Sequence, residues 1–104
     1  MGAMNDTNTN STDSYDISHN EAKQRFVISV DDREVGYASY VRHGGLLDFH
    51  HTVVDQAYRG RALSTPLIRE ALDWAREEGA RVRPSCSAVE HFISKNEEYR
   101  DLVG

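Results

Sequence analysis

The chain has 104 residues, with 17 Asp plus Glu against 12 Lys plus Arg and a formal charge of −5; this points to one domain and argues against the broad basic field that non-specific nucleic-acid binding requires. Residues 1–21 hold Asp6, Asp13, Asp16 and Glu21 and no Lys or Arg, so the other 83 residues sum to only −1. A single cysteine excludes an internal disulfide, no apolar run approaches the ~20 residues of a membrane helix, and no secretory h-region is present, so the expected location is cytoplasmic, with neither nucleic acid nor membrane as partner.

Residues 1–21 are rich in Asn, Thr, Ser and Asp and offer almost nothing to bury, which predicts a disordered tail ahead of one domain over 22–104. From Arg25 the pattern alternates, with Phe26, Ile28 and Val30 on one face of a short strand and Asp31-Asp32-Arg33 as a polar turn; a hairpin is predicted. The second strand, 34–42, places Val35, Tyr37, Ser39 and Val41 on one face and Gly36, Ala38 and Tyr40 on the other, and His43-Gly44-Gly45 turns the chain again. The third strand, 46–54, reads with Leu47, Phe49, His51 and Val53 on one face and Asp48, His50, Thr52 and Val54 on the other. Both faces are partly apolar, which suits a strand in the middle of a sheet covered on both sides.

After Val54 the period changes. A turn carries Arg59, Gly60 and Arg61, and Leu67, Ile68, Ala71, Leu72 and Ala75 then recur at helical spacing up to a stop at Gly79. A strand, a glycine turn and a helix start bring unpaired backbone N–H groups and the helix dipole together, so with two nearby guanidinium groups this stretch can hold an anion without a metal. Pro66 leaves the helix start open: at Thr65, at Pro66, or earlier with a distorted turn. Residues 81–86 read as a fourth strand broken by Pro84, which must lie at an edge, end early or splay from its neighbour. Ser87 with Glu90 forms a capping box for a last helix striped by Val89, Phe92 and Ile93, and Tyr99 and Leu102 are expected to pack on the sheet.

Several side chains have two readings. Cys86, just before the helix start, is either a thiol activated by the dipole or a small buried hydrophobe. His51 is either a hydrogen-bonded core histidine or a general base. His50 and His51 diverge on a strand and no third ligand has suitable spacing, so no metal site is expected. Trp74 reads as packing, the tyrosines as amphipathic core-edge residues, and Arg81 and Arg83 as either an extension of the anion site or solvated charges.

In order, these pieces resemble the GNAT superfamily of acetyl-CoA-dependent N-acetyltransferases, and most closely its small, truncated branch of roughly hundred-residue proteins, over residues 26–103. The superfamily turn has the form Arg or Gln, two residues, Gly, any residue, then Gly or Ala. Here it reads Arg59-Gly60-Arg61-Ala62-Leu63-Ser64, with Ala62 and Ser64 as departures. Asp48-Phe49-His50-His51-Thr52, the helix segment from Ala71 to Arg76 and the Pro84-Ser85-Cys86 strand end are further points of likeness to that branch; its C-terminal Lys-His-Pro-Glu-Tyr stands here as Lys95-Asn96-Glu97-Glu98-Tyr99.

The resemblance implies an α+β fold with a mostly antiparallel sheet, a V-shaped splay and helices on both faces. It implies acetyl-CoA or coenzyme A as cofactor, held by Val53, Val54, Arg59, Gly60, Arg61, Ala62, Leu63 and Ser64, with the thioester near Cys86. The acceptor is an unidentified amine on a small molecule or a protein. The tyrosine that many members use as acid falls here on Ile93, so Tyr99 is the substitute acid. Either His51 or a bound water takes a proton from an attacking amine, which we favour, or Cys86 takes the acetyl group first. The competing reading is a coenzyme-A-binding module or accessory subunit without turnover. So short a core suits a monomer or a weak homodimer.

Overall fold

The computed structural model describes residues 15–104. Five strands, β1 (Asp16–Asn20), β2 (Arg25–Val30), β3 (Arg33–His43), β4 (Leu46–Val54) and β5 (Arg81–Pro84), form one sheet in the order β1-β2-β3-β4-β5. The first three pairings are antiparallel and β4–β5 is parallel. A 3₁₀ segment (Gln56–Arg61) and α1 (Ser64–Glu77) lie between β4 and β5; α2 (Ser87–Lys95) and a terminal 3₁₀ segment (Glu97–Leu102) follow.

The β2–β3 hairpin closes on Asp31 and Asp32, both at positive φ (51° and 63°), the pair of left-handed residues that a two-residue turn needs to match strand twist. α1 ends as Gly79 predicts: with φ at 67° it lets the Ala80 N–H reach the Ala75 carbonyl at 3.0 Å, closing the last turn. The α1 stripe of Leu67, Ile68, Ala71, Leu72 and Ala75 is buried together with Val89, Phe92 and Ile93 of α2 and Tyr99 and Leu102 of the terminal segment. These side chains pack on Phe26, Ile28, Ala38, Tyr40, Leu47, Phe49 and Val82 of the sheet.

Three expectations are corrected. Residues 1–14 lie outside the described ones, but Asp16–Asn20, assigned to the tail, is a strand with five residue pairs to β2. Its inward residues are Ile17 and His19, and the imidazole serves as the second apolar side chain: it stacks on Phe26 at 4.0 Å and meets Trp74 edge-on at 4.4 Å. A strand so polar carries no alternation that could announce it.

The second correction concerns β4. Ser39 pairs with His51 but Tyr40 pairs with Phe49, so His50 is an extra residue, a bulge. Beyond it the faces exchange: Leu47, Phe49, Thr52 and Val54 share the core side with Ala38 and Tyr40, while His51 and Val53 lie with Tyr37 and Ser39 on the other. The two-sided apolarity of β4 is thus a phase shift along one buried face.

The third follows from it: among the described residues the helices pack on one face only, because both apolar stripes feed the same core cluster. The opposite face shows Tyr37, Ser39, His51 and Val53, with the Arg25 guanidinium 5.2 Å from the Tyr37 ring centre.

Candidate active site

Pro84 shapes the site. β4 and β5 pair only from Leu46 with Arg81 to Phe49 with Pro84. The Cys86 N–H then donates to the Phe49 carbonyl at 2.9 Å, the chain turns into α2, and β4 continues over residues 50–54 paired with β3 alone, with no strand on its β5 side among the described residues. That is the predicted splay, made by a residue that cannot extend the ladder. A cleft of about 450 Å³ opens there, lined by His51, Thr52, Val53, Val54, Leu63, Ser64 and Ala88.

The helix at its mouth starts in the third of the ways left open, early and distorted. Leu63 precedes Ser64 in helical conformation and offers no side-chain cap, and the first turn holds no acidic residue. Ala62 has a φ of 54°, a left-handed conformation that costs an L-residue about 1 kcal/mol and that glycine adopts freely. Ala62 is the position where the superfamily turn has its glycine, so the backbone keeps the shape although the side chain departs. A Cβ at Gly60 would meet nothing within 4 Å, so that glycine leaves the surface of the turn open.

Cys86 is itself the N-cap of α2, one residue earlier than the capping box implies: its carbonyl accepts the first helical hydrogen bond, from the Glu90 N–H at 3.0 Å. The thiol is half-buried. Burial pushes its pKa up, but the Thr52 hydroxyl, the Val89 and Ala88 amides at the helix start and the Thr52 backbone outweigh this, and the pKa lies below the ordinary thiol value. The Thr52 hydroxyl oxygen is buried and makes no hydrogen bond of good geometry, so the sulfur is its available neighbour. Sequence reasoning passed over Thr52; only the bulge at His50 turns it inward.

The other expected residues are distributed as follows. His51 is exposed, beside Tyr37 with ring centres 5.9 Å apart, so it is no core histidine; it lines the cleft from the face opposite Cys86's partner Thr52. Val53, Val54, Leu63 and Ser64 line the cleft, and Arg59, Gly60 and Arg61 lie in the 3₁₀ segment before it. Tyr99 is not among the lining residues. Its hydroxyl donates to Asp73 at 2.7 Å and receives a long 3.4 Å contact from Arg69, and burial and the Asp73 carboxylate raise its pKa. This tyrosine ties the terminal segment to α1, aided by a two-pronged Arg76–Asp101 pair at 2.8 and 2.9 Å. Among the described residues no cluster of three side chains suited to a metal occurs, and no helix is long and apolar enough to cross a membrane.

A profile described as GCN5-related N-acetyl-transferase matches residues 25–102. The chain therefore belongs to the GCN5-related acetyltransferase family. Among characterised sequences it resembles Protein NATD1 of Bos taurus, 31% identical over 83 residues that span 77% of this chain and 73% of the relative, and Protein NATD1 of Homo sapiens, 29% identical over the same shares. Among solved structures it resembles a GCN5-like protein of Staphylococcus aureus, with a TM-score of 0.68 and 22% identity over 86% of this chain and 87% of that one. A second, with a TM-score of 0.50 and 21% identity over 75% and 58%, is AAC(6')-Iy in complex with the bisubstrate analogue CoA-S-monomethyl-acetylneamine. These structural likenesses establish the five-stranded, mostly antiparallel fold.

Proposed function

We propose that the protein is an acetyl-CoA-dependent N-acetyltransferase of the cytoplasm, acting on an amine of a small molecule or a protein. The observation that carries this reading is the coincidence, in one cleft, of an unpaired β4 edge and a helix start without side-chain cap or acidic residue. The β4 edge offers backbone groups that can pair with the amides of an extended pantetheine arm. The start of α1 offers N–H groups and the positive end of a dipole to a pyrophosphate, with Arg59 and Arg61 supplying charge. The groups present thus fit the cofactor, whose thioester would supply the activated acetyl group.

His51 faces the cleft from the exposed side of the sheet, where an acceptor amine can arrive and lose a proton to the imidazole or to water held by it. Thr52 lines it from the core side and neighbours the Cys86 thiol, which is not itself among the lining residues. Ala88, whose amide is one of those that lower the thiol's pKa, lines it too and can stabilise negative charge there. Because the strand sends His51 and Thr52 to opposite faces, His51 is poorly placed to act on the Cys86 thiol, which favours direct attack by the amine over prior transfer to sulfur. A coenzyme-A-binding module without turnover keeps one observation in its favour: Ile93, where many members carry the acid, is buried and apolar, and Tyr99 is engaged elsewhere.

Release of free thiol from acetyl-CoA, followed across a panel of primary amines and lysine peptides, separates the two. Turnover that falls at least roughly tenfold in His51→Ala supports base catalysis. Binding of acetyl-CoA with no acceptor-dependent thiol release in any mixture would make the protein a binding module.

A further inference from the structure

Beside the cleft runs a second depression of about 350 Å³, in the groove between α1 and α2. Ser64 and Ala88 line both, so the two are continuous across the start of α1. The groove floor is apolar, from Ile68 and Phe92, while Arg69, His91 and Lys95 stand along it and no Asp or Glu lines it. Arg69 is partly committed, lying 5.3 Å from the Phe92 ring centre and 3.7 Å from Glu98. The His91 ring and the Lys95 ammonium have no hydrogen-bonding or ion-pairing partner among the described residues. Lys95 also sits in the last turn of α2, where the dipole favours a cation but consumes none of its donors.

We propose that this groove receives the ribose 3′-phosphate of the cofactor, and that His91 and Lys95 make the protein distinguish coenzyme A from its 3′-dephospho form. The inference rests on the cleft being an acetyl-CoA site. An elongated ligand whose pyrophosphate lies at the start of α1 has one end directed along β4 and the other directed away from it. The α1–α2 groove is the continuation of the cleft that offers unengaged cations. A phosphate monoester is doubly charged near neutral pH and takes charge-assisted hydrogen bonds from an ammonium and an imidazole. A further depression, on the other side of α1, is lined by Tyr15, Ile17, Arg61 and Arg69 together with Glu70 and Asp73, two carboxylates that oppose a phosphate.

The test is calorimetric titration of the full chain with coenzyme A and with 3′-dephospho-coenzyme A, in the unmodified protein and in His91→Gln/Lys95→Gln, Arg61→Gln and Lys23→Gln. The unmodified protein should bind coenzyme A roughly tenfold more tightly than the dephospho form. That preference should vanish in the double variant, through weaker binding of coenzyme A alone, and persist in Lys23→Gln, which removes a distant charge of the same sign. Equal affinity of the unmodified protein for both ligands would overturn the inference and leave the cofactor reading intact. A preference that survives the double variant but is lost in Arg61→Gln would overturn it in favour of the other side of α1. Binding of neither ligand would overturn both.

Discussion

The two flanks of the sheet are built on opposite terms. On the β1 side every device closes the structure: the His19 ring stacks on Phe26 and its Nε2 lies 2.6 Å from the Tyr40 hydroxyl, while Trp74 from α1 meets His19, Phe26 and Tyr40 at 4.4, 5.5 and 5.3 Å. Arg42 covers Trp74 at 5.7 Å and pairs with Glu78 at 3.2 Å. On the β5 side pairing stops at Pro84, α1 begins without a side-chain cap, and the Thr52 hydroxyl is left facing a thiol. In this fold stability is concentrated where aromatic rings fill the sheet–helix seam, and chemistry is available where backbone pairing is withheld.

That contrast can be broken from either side. Trp74→Ala removes the ring that joins α1 to β1, β2 and β3, and should cost about 3 kcal/mol in chemical denaturation while leaving the pH dependence of Cys86 alkylation unchanged. Ala62→Gly relaxes the left-handed residue at the turn and should raise stability by about 1 kcal/mol, read as a higher denaturation midpoint. Thr52→Val keeps the shape and removes the hydroxyl beside the sulfur. Iodoacetamide labelling of Cys86 should then inflect at higher pH and slow roughly threefold near neutrality, with stability held within ~0.5 kcal/mol.

The smallest effect is on the closed flank. Burial lowers the His19 pKa below its ordinary value of 6.5 against the pull of Glu21 and Glu78, so the unfolded chain binds this proton more readily than the folded one. Stability from this group is therefore complete above 6.5 and is lost as the pH falls through the lower, folded-state value. His19→Phe should flatten the stability profile in that acidic window and keep the stacked ring; an unchanged slope would show that the imidazole does not report on this seam.

What the sequence made legible follows the same division. The spans of β2, β3, β4 and α1 and the break at Pro84 came from alternation, helical period and turn residues, because those patterns record burial directly. β1 was hidden because its inward pair is an isoleucine and a histidine, and a histidine used as an aromatic plate looks polar in a sequence. The position of His51 was misread because a bulge inverts strand parity at a residue nothing in the pattern distinguishes. Cys86 was read one step out of place for a related reason: thiols are poor predictors of caps, so Ser87 drew the assignment. The Arg59–Ser64 turn was recognisable by type, while its strained Ala62 could be seen only in the backbone.

The assignment of the cleft to the cofactor is tested most directly by calorimetric titration of acetyl-CoA into the protein, with Arg59→Ala/Arg61→Ala beside it. Binding on the order of micromolar is expected for the intact chain, with a loss of at least roughly tenfold in the double variant, which lacks both charges of the arginine turn. No binding at millimolar acetyl-CoA, or equal binding by both proteins, would contradict the assignment of this cleft and its arginine turn to the cofactor.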